Sequence, residues 1–322
     1  TTKPWHLYAT LGVLVVGSTV ILTYTGHAMF LPHWFVRRRG FAIGIAFSGV
    51  GVGSILLFPW LQTIIAAAGW RQACWVLAAL MLAVVLPLNL IFQRKHPSQL
   101  GLLPDGDPPQ PVTAAGNAAK AAASELWPFG RAMRSAPFWW LVIADFCAMV
   151  AWYTVQVHQT KYLTEIGITP ATAAFALGFV GLASIAGQIG LGWFADKFST
   201  EIAWTLGGLG FVACYVMLLV LEQHPSVLMM YLMVGIQGGL GYGIASVFGS
   251  IPAQIFQGRA YASIFGMLSL SISFGAGIGP WIGGVMQDHT GSYNPAWWMG
   301  LACSVIAIAG VWFAQPSKGP VR

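Results

Sequence analysis

Charge is what this chain has least of. Only 7% of its 322 residues are Asp, Glu, Lys or Arg, and none of them lies between Lys3 and Arg37. An average soluble protein carries about 25% charged residues, so a water-facing globular surface is excluded. The uncharged runs exceed the roughly 20 apolar residues that a helix needs to cross a bilayer. With 57% hydrophobic residues, the chain reads as an all-α polytopic membrane protein. Cysteine is also scarce. Cys74, Cys147, Cys214 and Cys303 all sit inside apolar runs without metal-ligand spacing, so they are expected to pack as small apolar residues. The net charge of +6 is not clustered with aromatics in any polar segment, which argues against a nucleic-acid partner. Seven scattered histidines, with no H-E-x-x-H, no paired carboxylates in a span and no nucleophile elbow, argue against an enzyme; neither metal nor cofactor is expected.

What the chain does have is a repeated unit. Three arginines, Arg37, Arg38 and Arg39, sit between two long apolar runs within Phe30 to Arg71. Pro32 precedes Arg39 as Pro252 precedes Arg259, and Pro59-Trp60 follows as Pro280-Trp281 does, at an offset of about 220 residues. Two halves of one design are expected.

Nine apolar segments read as spans: Leu7–Met29, Gly40–Ala68, Gln72–Phe92, Pro137–Gln159, Thr169–Phe194, Ile202–Leu221, Val227–Phe248, Ala262–Met286 and Ala296–Ala314. Residues 1–92 form one bundle and 137–322 another. Between them, 93–136 reads as a Pro-rich polar loop, with a short surface helix near Arg131 and Arg134. Alternating the connections puts twelve of the fifteen Lys and Arg residues on one side, leaving Lys3, Arg71 and Lys161 on the other. Basic residues are retained in the cytoplasm, so the arginine triplet, the long loop and the C-terminus are expected there and the N-terminus outside. The second half has four helices up to its Arg259, whereas the first has one before Arg39. Three helices are therefore expected to precede Thr1, in agreement with a chain that does not begin with Met and has no cleavable signal peptide.

A six-plus-six plan with a long central loop resembles the major facilitator superfamily, here with nine of an expected twelve helices in two pseudo-repeated bundles. Gly192-Trp193-Phe194-Ala195-Asp196-Lys197 resembles the family's G-x-x-x-D-[RK] loop, departing from it at Ser199 where glycine is usual. Pro32 to Gly40, followed by Gly44, Gly49 and Gly53, looks like the junction of the fourth and fifth helices in the monocarboxylate-transporter-like and oxalate/formate-antiporter-like branch. Gly279-Pro280 and Asp288 to Tyr293 resemble that branch's eleventh helix. The resemblance implies a secondary transporter in the cytoplasmic membrane, a monomer in contact with lipid, rocking two bundles around a small organic solute. It also implies that Asp196, with Lys197 beside it, meets the start of the fifth helix near Arg38, Arg39 and Gly40, with Arg259 as the counterpart in the second half.

Asp145 is the only acidic residue well inside an expected span, and ionisable groups there are costly unless they have a role. Asp145, Met149, Trp152, Gln156 and Gln159 fall on one helical stripe, a candidate cavity wall. Asp145 is read either as a proton-coupling residue or as a structural aspartate near the cytoplasmic end. His158, His27 and Gln237 are further candidates to touch substrate, each open to a purely structural role. Gln188 stands where carboxylate carriers of the resembled branch commonly have arginine; an amide supplies hydrogen bonds but no charge. Gly49-x-x-x-Gly53 and Gly275-x-x-x-Gly279 are read as helix-contact motifs, either a sliding bundle interface or ordinary tight packing. The expected substrate is a small organic solute such as a monocarboxylate, moved with protons or by exchange. A non-transporting sensor on the same fold is the alternative.

Overall fold

The computed structural model describes residues 4–7, 10, 31–94, 96–107, 127–256, 258 and 260–315. The expected first span, with His27, and Arg259 lie outside them. Eight long helices follow one another: α1 (Arg39–Ala68), α2 (Trp70–Phe92), α3 (Ala136–Glu165), α4 (Pro170–Lys197), α5 (Thr200–Gln223), α6 (Val227–Ile255), α7 (Tyr261–Thr290) and α8 (Asn294–Ala314). Seven of them, α2 to α8, are long and apolar enough to cross a membrane. At 1.5 Å per residue, the 30 residues of α3 or α7 extend about 45 Å, more than the roughly 30 Å hydrocarbon core.

Local chemistry marks the helix starts. Thr169, Ser199 and Ser226 each accept a hydrogen bond from a backbone N–H in the first turn of α4, α5 and α6, a standard N-cap use of a short hydroxyl side chain. Pro137, Pro170 and Pro295 occupy first-turn positions where no backbone N–H is needed. Gly291, at φ 70°, ends α7 in the left-handed region.

Helices α3 to α8 share one core. Trp204, Tyr215 and Trp297 are fully buried in it. Two of the three use their polar ends: Trp204 Nε1 donates to the Ala307 carbonyl at 3.0 Å, and Tyr215 Oη donates to the Ala151 carbonyl. Tyr162 Oη donates to the Leu218 carbonyl at 2.6 Å. These bonds tie α3 to α5 and α5 to α8 where no water is needed to satisfy the groups. Helix α6 is not a continuous α-helix. A π turn over Gln237–Gly241 and a 3-10 turn over Tyr242–Ile244 interrupt it, and backbone irregularity at membrane depth is tolerated only where protein or a cavity surrounds it.

Helix α1 runs antiparallel along α4. Gly40 lies against Gly192, Gly44 against Gln188 and Gly51 against Gly181; a Cβ on Gly40 would come 2.5 Å from the Gly192 carbonyl oxygen. A small cluster of Ile43, Phe47 and Ala245, with Trp152 and Leu31 packed against it, completes this side of the second bundle. Helix α2 packs on α1 and buries only Ala73. The helix, with mean hydropathy 2.4 over an 18-residue window, suits a lipid environment.

The two glycine motifs are placed differently. Among the described residues, Gly49 has nothing within 4 Å and Gly53 meets only Leu57 of its own helix, and the close approach of α1 to α4 uses Gly40, Gly44 and Gly51. Gly275 and Gly279 do sit against backbone, at the Phe146 and Val150 carbonyls, but these belong to α3 of the same bundle. That contact is tight packing within one bundle, not a surface between the two.

Candidate functional site

The end of α4 meets the start of α1. Asp196 Oδ1 accepts from the Gly40 N–H at 2.7 Å and Asp196 Oδ2 from the Phe41 N–H at 2.7 Å. The first N–H groups of a helix have no partner within it, and a carboxylate there also meets the positive end of the helix dipole. The glycine at position 40 admits this contact, because a Cβ would stand 3.0 Å from Asp196 Oδ1. Lys197 does not join in. Its Nζ lies 4.8 Å from the Trp193 ring centroid and 5.6 Å from that of Phe198. Arg39 Nε donates to the Phe35 carbonyl at 3.5 Å, and Arg38 is exposed ahead of the helix. Among the described residues, no ion pair joins Asp196 to an arginine. The partner of the carboxylate is the backbone.

A second aspartate, not singled out in the sequence, caps the turn just before. Asp105 Oδ2 accepts from the Val36 N–H at 3.1 Å and the Arg37 N–H at 3.0 Å, and Arg37 Nη2 pairs with Asp107 at 2.6 Å. Burial pushes the Asp105 carboxyl up, but the N–H groups of Arg37, Val36 and Arg38 and the Arg37 guanidinium outweigh it, so the carboxyl titrates below its ordinary value. Trp34 Nε1 donates to the Arg94 carbonyl at 2.8 Å, and the His33 and His96 rings lie 4.4 Å apart. Residues 94 and 96–107 therefore clip onto the arginine turn from within the Pro-rich loop expected there. The signal was Pro104-Asp105-Gly106-Asp107, a run of turn-forming residues in which Asp105 takes a positive φ of 58°.

Further into the membrane-spanning region, the stripe of α3 divides: Trp152 packs toward α1 and α6, and Met149 lies against Gly275 of α7. Asp145 is 3% exposed, and among the described residues no ion pair reaches it. Trp152 stacks on Tyr242 of α6, with centroids 4.1 Å apart and planes at 17°, and its Nε1 donates to Gln156 Oε1 at 2.9 Å. Phe211 of α5 flanks the pair, 5.7 Å from Trp152. Gln159, Gln188 and Gln237 are buried. Both side-chain polar atoms of Gln159 and Gln237, the Gln188 Oε1 and the Tyr242 Oη have no hydrogen-bond partner among the described residues. Burying such groups unpaired is costly, and of these Gln237 and Tyr242 lie close enough to interact with each other. Gln237 and Tyr242 belong to the broken middle of α6. His158 is placed differently. Its Nε2 lies 2.9 Å from the Pro280 carbonyl oxygen, packed against Gly283 and near Tyr293, so it ties α3 to α7. Tyr242 was missed in the sequence because an aromatic in a Gly-rich apolar run carries no periodic signal.

Comparison with known proteins gives one family. The model described as Major Facilitator Superfamily matches residues 4–255 and 161–322. Monocarboxylate transporter 13 of Bos taurus is 26% identical over 297 residues, covering 90% of this chain and 63% of that protein. Monocarboxylate transporter 12 of Mus musculus is 27% identical over 315 residues, covering 90% and 62%. Monocarboxylate transporter 11 of Homo sapiens is 28% identical over 334 residues, covering 98% and 65%. The chain thus spans a little under two thirds of the length of these relatives.

Proposed function

The chain belongs to the major facilitator superfamily, and from that premise we propose that it works as a secondary active transporter for a small organic solute, a monocarboxylate or a related organic acid. It is a multi-pass membrane protein related to monocarboxylate transporters. In the proposed arrangement, the arginine turn and Asp196 lie on the cytoplasmic side, and the two bundles rock around a site between them. The observation that carries this reading is the Asp196 carboxylate seated on the first N–H groups of α1. It is a contact between the two halves that can be made when they close at this end and lost when they open. Asp196 serves as the latch, Gly40 and Phe41 as its partners, and Lys197, Arg38 and Arg39 as the surrounding basic rim.

Solute would sit along the α3 stripe against α4 and α6. There Trp152 and Tyr242 offer ring faces, and Gln188, Gln237 and Gln159 offer amides. Asp145, buried and without a paired cation, is the proposed proton-coupling group. Gln188 binds without contributing charge, so neutral analogues belong among the solutes tested. Counterflow of labelled lactate, oxalate and neutral analogues into proteoliposomes tests the function. Exchange-dependent accumulation supports transport, and its absence with all of them, in protein shown to be folded, refutes it.

A further inference from the structure

The first bundle carries a cavity that the transport reading does not use. Its volume is about 390 Å³, within the roughly 300–1,000 Å³ range of small-molecule sites. Leu31, Trp34 and Phe35 line it from the segment ahead of α1, and Leu88, Phe92 and Arg94 from the end of α2. Phe92 is the last helical residue of α2, so the cavity straddles the point where the apolar span gives way to polar chain.

Its chemistry changes along its length. The walls are mainly aliphatic and aromatic, with Asn89 and Gln93 adding amides toward the Arg94 end, and Leu88 and Phe92 are largely exposed. At one end sits the half-buried Arg94 guanidinium, whose Nη1 donates to the Leu90 and Gln93 carbonyls at 3.3 and 3.0 Å. Those bonds hold it at the helix C-terminus and leave other guanidinium donors for a ligand. Among the described residues no carboxylate pairs with Arg94. The nearby acids, Asp105 and Asp107, are engaged by Arg37. Trp34, with its indole N–H on the Arg94 carbonyl, sits at the boundary as interfacial tryptophans do.

An unpaired cation at the mouth of an apolar cavity, at the end of a membrane span, matches a ligand with an anionic head and hydrocarbon tails. We propose that this cavity binds an anionic phospholipid, with an acyl chain along Leu31, Phe35, Leu88 and Phe92 and the phosphate on Arg94. Free phosphate would leave the apolar walls unused. A zwitterionic lipid would bring its own cation toward the guanidinium. The proposal needs only a chain that spans a bilayer, and stands or falls apart from transport.

The test is native mass spectrometry of the full chain in mild detergent with equal phosphatidylglycerol and phosphatidylcholine. Retained phosphatidylglycerol should exceed phosphatidylcholine about fivefold, the preference expected of one basic residue at an anionic lipid surface. Arg94→Gln should bring the two to parity, and Leu88→Trp, which fills the cavity and keeps the cation, should lower retention of both. Arg131→Gln, a cation outside the cavity, should leave the excess intact. Circular dichroism identifies the folded variants; either cavity variant, if folded, decides the question. Equal retention of the two lipids by the wild type, an unchanged excess in folded Arg94→Gln, unchanged retention in folded Leu88→Trp, or an equal loss with Arg131→Gln would overturn the site.

Discussion

Replacing Asp196 by asparagine removes charge from the contact between α4 and α1 while keeping nearly the same shape. The carboxylate accepts two N–H groups, each at 2.7 Å. A hydrogen bond to a charged group contributes about 1.5–3 kcal/mol and a neutral one about 0.5–1.5. Asp196 is exposed on its outer side, so the low end of each range applies. Asparagine has one acceptor oxygen and therefore keeps one neutral bond in place of two charged ones, a loss of about 2.5 kcal/mol. If the contact exists only in the conformer closed at this end, that loss shifts the closed-to-open ratio by about 60-fold. The shift can be read as a distance distribution between spin labels on the native, exposed Cys74 of α2 and on Leu228→Cys, 72% exposed at the start of α6, with Cys303→Ser in the background. A ratio that moves less than about twofold would refute the idea that this contact holds the two halves in one state.

Other outcomes follow from the same geometry. Gly40→Ala places a Cβ 2.5 Å from the Gly192 carbonyl and is expected to cost about 1–3 kcal/mol, lowering the melting temperature, while Gly49→Ala, with nothing within 4 Å, should be neutral; equal effects would contradict the α1–α4 register. Asp105 titrates below the usual carboxylate value, so its stabilisation of the arginine turn is complete above about pH 4 and fades as pH falls through its lower folded pKa. Hydrogen exchange of residues 31–37, corrected for the intrinsic rate, should rise only in that acid window, and Asp105→Asn should raise it at neutral pH. Asp145→Asn should abolish proton-driven uptake and its pH dependence while sparing solute exchange; unchanged uptake in proteoliposomes would remove Asp145 from coupling. Trp152→Ala, which deletes the ring stacked on Tyr242, should weaken solute binding tenfold or more; unchanged half-saturation would move the site elsewhere.

The helices were legible because membrane spans announce themselves as long uncharged runs. From α1 to α8 the expected segments differ from the observed ones only at their ends, where Trp70, Lys197 and Thr290 extend helices past their apolar cores. Asp196 could be placed near Gly40 only through a resemblance, since nothing local to either residue encodes a contact across 156 positions. What could not be read was which glycines matter. Gly49 and Gly53 have the spacing of a helix-contact motif, yet spacing gives the face of one helix without saying what stands opposite it, and the neighbouring face carrying Gly40, Gly44 and Gly51 meets α4. The Asp105 clip was hidden for a related reason. Its partners are backbone N–H groups about 70 residues away, and backbone donors leave no trace in a sequence.

The choice of backbone as the partner of Asp196 decides how substitutions can accumulate on either side. A salt bridge can be broken from both ends, because each partner is a side chain that a single codon change removes. Here α1 offers N–H groups that every residue but proline possesses, so most changes at Phe41 leave the donor in place. Position 40 is constrained by what it must lack, a Cβ, and position 196 by what it must have, two oxygens. The junction can therefore tolerate wide drift in the side chains at the start of α1 while depending on one carboxylate in α4.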